Sequence, residues 1–297
     1  MKEKKYKLIE SETTEADGRT LYRIEALRSF DDVKKGDEGG FVESEENLSH
    51  EGNCWVYDNA QVWGGAQVYG DAQVYEYAEV YGNARVCDNA RVCDSARVFG
   101  RAKVCDDATV YGSAVVYNDA QVYGEAEVCG RAQVSDEAMV YGVAEVYGCA
   151  QVFGEARVFG SARVYDNAAV FDNAEVFGKA LVYGNAEVTD NARVYDDGEV
   201  CDCAAVCGNV EVCGDATIHG AVQVCGDATI KSDEDYIVFK NWWSSSRYFT
   251  WTRSNNMWRV GCFYGTGEEL IAKAYADSEL SGREYERIVK YVEEITK

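Results

Sequence analysis

The sequence predicts a mainly β protein, a parallel β-helix of about ten coils with a small cap at its start and an α+β module at its end. Three observations lead there. From Val56 to Ile230 an aliphatic residue recurs at every sixth position without an insertion, 30 sites in all, every one Val except Ile218 and Ile230. Two residues before each site, from Ala60 to Ala228, stands a small residue, Ala in 26 of 29 cases, with Gly198, Val210 and Val222 the exceptions. Proline is absent from all 297 residues, as expected where backbone N–H groups are committed to a ladder.

The chain opens with YKLI and TLYRIEALRSF, whose alternation predicts a hairpin over residues 1–41 that covers the open end of the helix. Val42 and Leu48 continue the six-residue spacing and the next step is eight, so GGFVESEENLSHEGNCWV is the first, irregular coil of a helix spanning 42–232. Within each unit A-x-V-(Y/F/C)-(G/D)-x, Ala and Val share the inner face of a very short strand, while x and the aromatic or Cys point outward. The following pair, such as Gly82-Asn83 or Asp88-Asn89, has the chemistry of a tight turn with positive φ. Such a unit buries its inner face only by stacking on its neighbours. After Ile230 the repeat stops. Residues 233–297 predict strands YIVFK, RYFTWTR and MWRVGCFYG, a hairpin turn at Ser254-Asn255-Asn256, and helices EELIAKAYADSEL and REYERIVKYVEEITK, the second presenting Tyr285, Ile288, Val289 and Val292 on one face.

The A-x-V-Y-G-x unit resembles that of the hexapeptide-repeat proteins over about 60% of the chain. That resemblance implies a left-handed helix with three hexads per triangular coil, hence a rod of roughly 50 Å at ~4.8 Å per coil. It also implies an activity to test, acyl transfer from acetyl-CoA or an acyl carrier protein. Those enzymes use a histidine base in a cleft between trimer subunits, with long loops interrupting the coils. This chain has His50 and His219 only, and its coils carry no insertion. His219 in TIHGAV is the one outward candidate base, and a solvent-facing ladder residue is the plainer reading. Catalysis is not the expected role, and no cofactor is expected. The hairpin, the rod and the FTWTRSN…GCFYGTGEEL tail together also resemble proteins encoded in phages and prophages, which implies a cytoplasmic protein made during infection.

Composition adds a partner class. The formal charge is −23, and residues 56–230 alone carry 27 acidic against 10 basic groups. Direct binding to nucleic acid or to a membrane is therefore disfavoured, and a protein with a basic surface is favoured. A regular rod with net −17, as long as about 15 base pairs at ~3.4 Å each, suggests an inhibitor that imitates nucleic acid toward a host nucleic-acid-binding or defence protein. No apolar run has signal-peptide or membrane-span length, so the expected location is the cytoplasm and the twelve cysteines are expected to be reduced thiols.

Three further features are candidate sites. Tyr123, Tyr141, Phe159, Phe177 and Tyr195 recur at 18-residue spacing beside a column that includes Arg157 and Arg193. Stacked rings stabilise a ladder, and an aromatic and arginine face also suits a protein interface, including a homotrimer through one face. In the terminal module Trp242, Trp243, Trp251 and Trp258 with Lys240, Arg247, Arg253 and Arg259 suit a nucleotide or peptide, the helix then serving as scaffold; alternation puts about half of these aromatics in the module's core. The late cysteines fall on different faces, Cys201 with His219, Cys207 with Cys225, and Cys213 on the third, so no metal site is expected.

Overall fold

The computed structural model describes residues 4–296. By contact density the chain divides into two compact units, Met1–Asp172 and Asn173–Lys297. Each contains a stretch of parallel β-solenoid.

In the first unit, β1 (Tyr6–Ala16) and β2 (Arg19–Ala26) form the expected hairpin. Asp17 and Gly18, both at positive φ (49° and 71°), make its two-residue turn, the geometry that matches strand twist. The hairpin does more than lie over an open end. Its second strand pairs antiparallel with β3 (Glu38–Val42), and β3 pairs parallel with Gln61–Val62, so the antiparallel cap runs into the first solenoid face without a break. Lys5 and Tyr6, where the hairpin begins, are fully buried. The Lys5 ammonium donates to the Cys54 carbonyl at 2.7 Å and the Tyr6 hydroxyl to the Leu48 carbonyl at 2.8 Å, satisfying the groups that close the core. The irregular first coil is as expected: Val42 pairs with Val62 and Leu48 with Val68.

Thereafter every hexad contributes a two-residue strand, x-V, and Val stacks on the Val 18 residues later, as Val98 does on Val116. Three hexads complete a coil and create three faces. The Ala and Val of the repeat in this unit are essentially inaccessible. Three backbone N–H groups per hexad donate to the next coil, for example Arg97 to Ala114 (2.9 Å), Phe99 to Val116 (3.0 Å) and Arg101 to Asn118 (2.6 Å).

The corner residue in the left-handed region is Gly or Asp in nearly every case, with φ of 57° at Asp94 and 72° at Gly112. Its N–H is a fourth donor, and a corner Asp in the preceding coil accepts it: Gly112 N–H to Asp94 at 2.7 Å, Gly124 to Asp106 at 3.0 Å, Gly154 to Asp136 at 3.3 Å. Asp tolerates this backbone region and supplies the acceptor, two reasons for the same residue.

The second unit continues the same pattern from Glu175–Val176 to Thr229–Ile230. A 3₁₀ turn, Asp233–Asp235, leads into a four-stranded antiparallel meander of Tyr236–Lys240, Tyr248–Thr252, Met257–Val260 and Phe263–Gly265. The expected single strand MWRVGCFYG is therefore two, divided at Gly261 (φ 56°) and Cys262. Helices α1 (Gly267–Asp277) and α2 (Glu279–Ile295) follow. Their boundary falls earlier than the periodicity suggested. Ser278 ends α1 and caps α2, its side chain accepting from the Ser281 N–H at 3.1 Å, whereas hydrophobic spacing alone placed the break near Ser281. Tyr285, Val289 and Val292 meet Phe249, Trp251 and Trp258 in the module's core, with Ile288 packed against it. The module closes the solenoid of its own unit: the Tyr236 hydroxyl donates to the Thr217 carbonyl at 2.7 Å, and Asn255 and the Tyr264 hydroxyl both reach Asp227 (2.9 and 3.1 Å).

Candidate functional site

The coils of the second unit carry a strong excess of acid. Residues 173–230 hold ten acidic side chains against two basic ones, and both bases are neutralised within the unit. Lys179 lies 3.9 Å from Asp197, and Arg193 bridges Glu175 (3.2 Å) and Glu211 (3.1 Å). Asp190, Asp196 and Asp202 occupy three consecutive corners of one coil, all in the left-handed region at φ 57–60°. Asp190 and Asp202 each accept a corner N–H, from Gly208 (2.8 Å) and Gly220 (2.9 Å), which fixes one oxygen of each carboxylate and leaves the group at the surface. Carboxylates are thus set by the corner geometry on all three edges, an arrangement that attracts basic groups from any side.

The first unit differs. A trough of about 780 Å³ runs along the face that carries Gln67, Arg85, Lys103, Gln121 and Met139 in one column, Arg85 and Lys103 side by side on paired strands. Arg101 at its edge is held by Asp119 at 2.6 Å, whereas Arg85 makes no ion pair among the described residues. Two residues on, just past the ends of the same strands, the sulfurs of Cys87 and Cys105 and a carboxylate oxygen of Asp88 lie within 4.8 Å of one another, a donor set that suits a soft divalent cation. The two thiols are electrostatically unlike. Cys87 donates to Cys105, and with the Lys103 ammonium this holds the Cys105 thiol down at about 7 against its burial, while the same hydrogen bond and burial push Cys87 up. Sequence reasoning concentrated on the late cysteines and missed this pair, although its 18-residue separation was the available signal.

That spacing also corrects the expectation that all cysteines are thiols: Cys207 and Cys225 form a disulfide. They occupy the same column of adjacent coils with Cα atoms 4.6 Å apart, inside the range a disulfide bridges. A reducing compartment favours thiols, but the ladder holds these two sulfurs within bonding reach.

The anticipated site residues separate into several environments. Tyr123, Tyr141 and Phe159 stack face to face at 4.8 and 4.9 Å, and Phe177 with Tyr195 at 5.0 Å, all as ladder columns. Arg193 lies over both Phe177 (5.1 Å) and Tyr195 (5.3 Å) as well as between its two carboxylates. Arg157 pairs across the strand from Met139. Trp251 and Trp258 are core residues of the terminal module, 3% and 2% exposed, because they project from the sheet face that the helices cover; neither offers a ring to a ligand. Trp243 packs edge-on against Tyr285 at 4.9 Å, whereas Trp242 is 70% exposed. Arg253 donates to the Glu234 carbonyl at 3.1 Å and serves the junction with the 3₁₀ turn. Arg247 lines a hollow beside Tyr248. His219 is exposed, and its ring makes no hydrogen bond among the described residues, so no described group orients it as a base.

Comparison with known families adds the fold alone. The YdcK beta solenoid repeat model matches residues 84–100, 102–118 and 150–166. The chain is a β-solenoid repeat protein. No curated protein matches it. Among the described residues no helix is long and apolar enough to cross a membrane.

Proposed function

We propose that this protein is a non-enzymatic binding protein whose acidic coils engage a protein with a basic surface, most concretely a nucleic-acid-binding or defence protein of a host cell, in a phage setting. The observation that carries the reading is the coil with Asp190, Asp196 and Asp202 on its three corners, in a solenoid stretch whose two bases are already ion-paired. An array held by backbone geometry loses little side-chain entropy on binding, which favours affinity for clustered Arg and Lys. A surface of fixed carboxylates on a regular scaffold also competes with phosphate for the same cations.

The corner rule supplies a clean test. Asn occupies the corner at Asn118 with φ 59°, so Asp→Asn neutralises a corner and keeps its backbone. Full-length protein and a variant with Asp190, Asp196, Asp197, Asp202 and Asp215 changed to Asn are titrated with a labelled Arg/Lys-rich peptide at 50 and 500 mM salt, and used to displace DNA from a basic DNA-binding protein. Binding and displacement are expected for the unmodified chain at low salt and are lost in the variant and at high salt. Equal binding by both proteins at both salt concentrations rules the proposal out.

A further inference from the structure

Where the terminal sheet meets the last coil, a hollow of about 460 Å³ is lined by Gln223 on the solenoid side and by Arg247, Tyr248, Arg259 and Cys262 on the sheet side. No acidic residue lines it, in a chain of net charge −23. Two guanidiniums facing one hollow repel each other unless an anion lies between them. Neither makes an ion pair among the described residues, although this unit is rich in carboxylates.

A second observation is independent of the hollow. Arg259 Nε is buried without a hydrogen-bond partner, and so is the hydroxyl of Thr250, a residue only 1% exposed. The two residues are direct cross-strand partners. Alternation places Tyr248, Thr250 and Arg259 on the face opposite Phe249, Trp251 and Trp258, that is, away from the helices. A buried guanidinium N–H left unmatched costs more than a neutral one, so the Arg259 orphan on this cationic wall, with the Thr250 orphan behind it on the paired strand, marks a place built to receive an acceptor.

The geometry points to a binding site for a small phosphate-bearing molecule with an aromatic ring, such as a nucleoside monophosphate. Two guanidiniums match the charge of a phosphate monoester and offer it forked donors. Tyr248, 47% exposed with the Lys240 ammonium 5.6 Å from its ring, supplies a flat face at the rim. The volume fits a ligand of that size. Such a site makes the terminal module a sensor in its own right, whatever the acidic coils bind.

Calorimetric titration of the full chain with adenosine 5′-monophosphate, inorganic phosphate and succinate tests the proposal. The nucleotide is expected to bind, phosphate more weakly, and succinate not at all. Arg247→Gln and Arg259→Gln are each expected to weaken the nucleotide at least tenfold with the circular dichroism spectrum unchanged. Arg283→Gln, at an exposed position of α2, leaves binding as it was, and Tyr248→Ala weakens the nucleotide but not phosphate. Absence of heat with both phosphate compounds overturns the site, as does equal nucleotide affinity in a folded Arg247→Gln protein. Succinate binding as tightly as the nucleotide overturns the assignment to phosphate, and an unaffected Tyr248→Ala overturns the ring contact.

Discussion

Replacing Asp94 separates the two jobs of a corner aspartate. Its backbone is left-handed, φ 57°, and its carboxylate accepts the Gly112 N–H at 2.7 Å from the next coil. Ala at this position keeps the strained backbone, at about 1–2 kcal/mol for an L-residue, and loses the hydrogen bond, worth about 1 kcal/mol when partly exposed to water. Asp and Asn escape most of the backbone term through local side-chain bonding. Asp94→Ala is therefore expected to lose about 2 kcal/mol, Asp94→Gly about 1 because only the hydrogen bond goes, and Asp94→Asn a few tenths. A solenoid does not unfold as one cooperative block, so the readout is local: hydrogen exchange at the Gly112 amide and its neighbours. About 2 kcal/mol corresponds to roughly thirtyfold faster exchange, so Ala, Gly and Asn are expected to rank in that order. If Gly and Ala exchange equally fast, the hydrogen bond and not the backbone governs the corner. If all three match the parent protein, the account of why Asp recurs at the corners is wrong.

Two further outcomes are expected. Alkylation of Cys105 by iodoacetamide should outpace that of Cys87 and rise with pH through about 7, the value at which the Cys87 hydrogen bond and Lys103 hold its thiol; Lys103→Gln moves that midpoint upward, and preferential labelling of Cys87 would contradict the assignment. Tyr141 stacks on Tyr123 and Phe159 at once, so Tyr141→Ala removes two ring contacts of about 0.5–1.5 kcal/mol each; exchange should quicken in residues 117–160 and stay unchanged in 6–26, and a uniform change along the chain would argue against a local ladder.

The solenoid was legible because its signal is repeated: one Val and one Ala per hexad define the inner face, and Leu48 and Val42 extend it through the irregular coil. Sequence periodicity was weaker where one residue decides. Gly261 splits a strand by adopting positive φ, and Ser278 ends one helix while capping the next; neither disturbs hydrophobic spacing. Among the site residues, alternation implied that half the tryptophans are internal but not which, since the choice depends on the face α1 and α2 cover. The cysteines failed differently. Cys87 and Cys105 are distant in sequence and adjacent only once 18 residues close a coil, whereas Cys207 and Cys225 were placed on one face but expected to be reduced. The acid excess looked like a purely electrostatic property, yet corner residues such as Asp94, Asp106 and Asp202 also hold backbone N–H groups.

The uninterrupted 18-residue register has a consequence for how such a chain can change over time. Stacking Val98 on Val116 and Phe99 on Tyr117 works because both partners sit at the same phase of the turn. Duplication or loss of 18 residues returns every later side chain to its own column, so the molecule lengthens or shortens with its rings, corners and charges still aligned. A change of six keeps the buried Val and Ala but moves every later residue round to the next face, breaking each column at the junction. Recombination between near-identical repeats is therefore filtered by the triangle: whole turns are heritable units, and thirds of a turn survive only where the columns carry interchangeable residues.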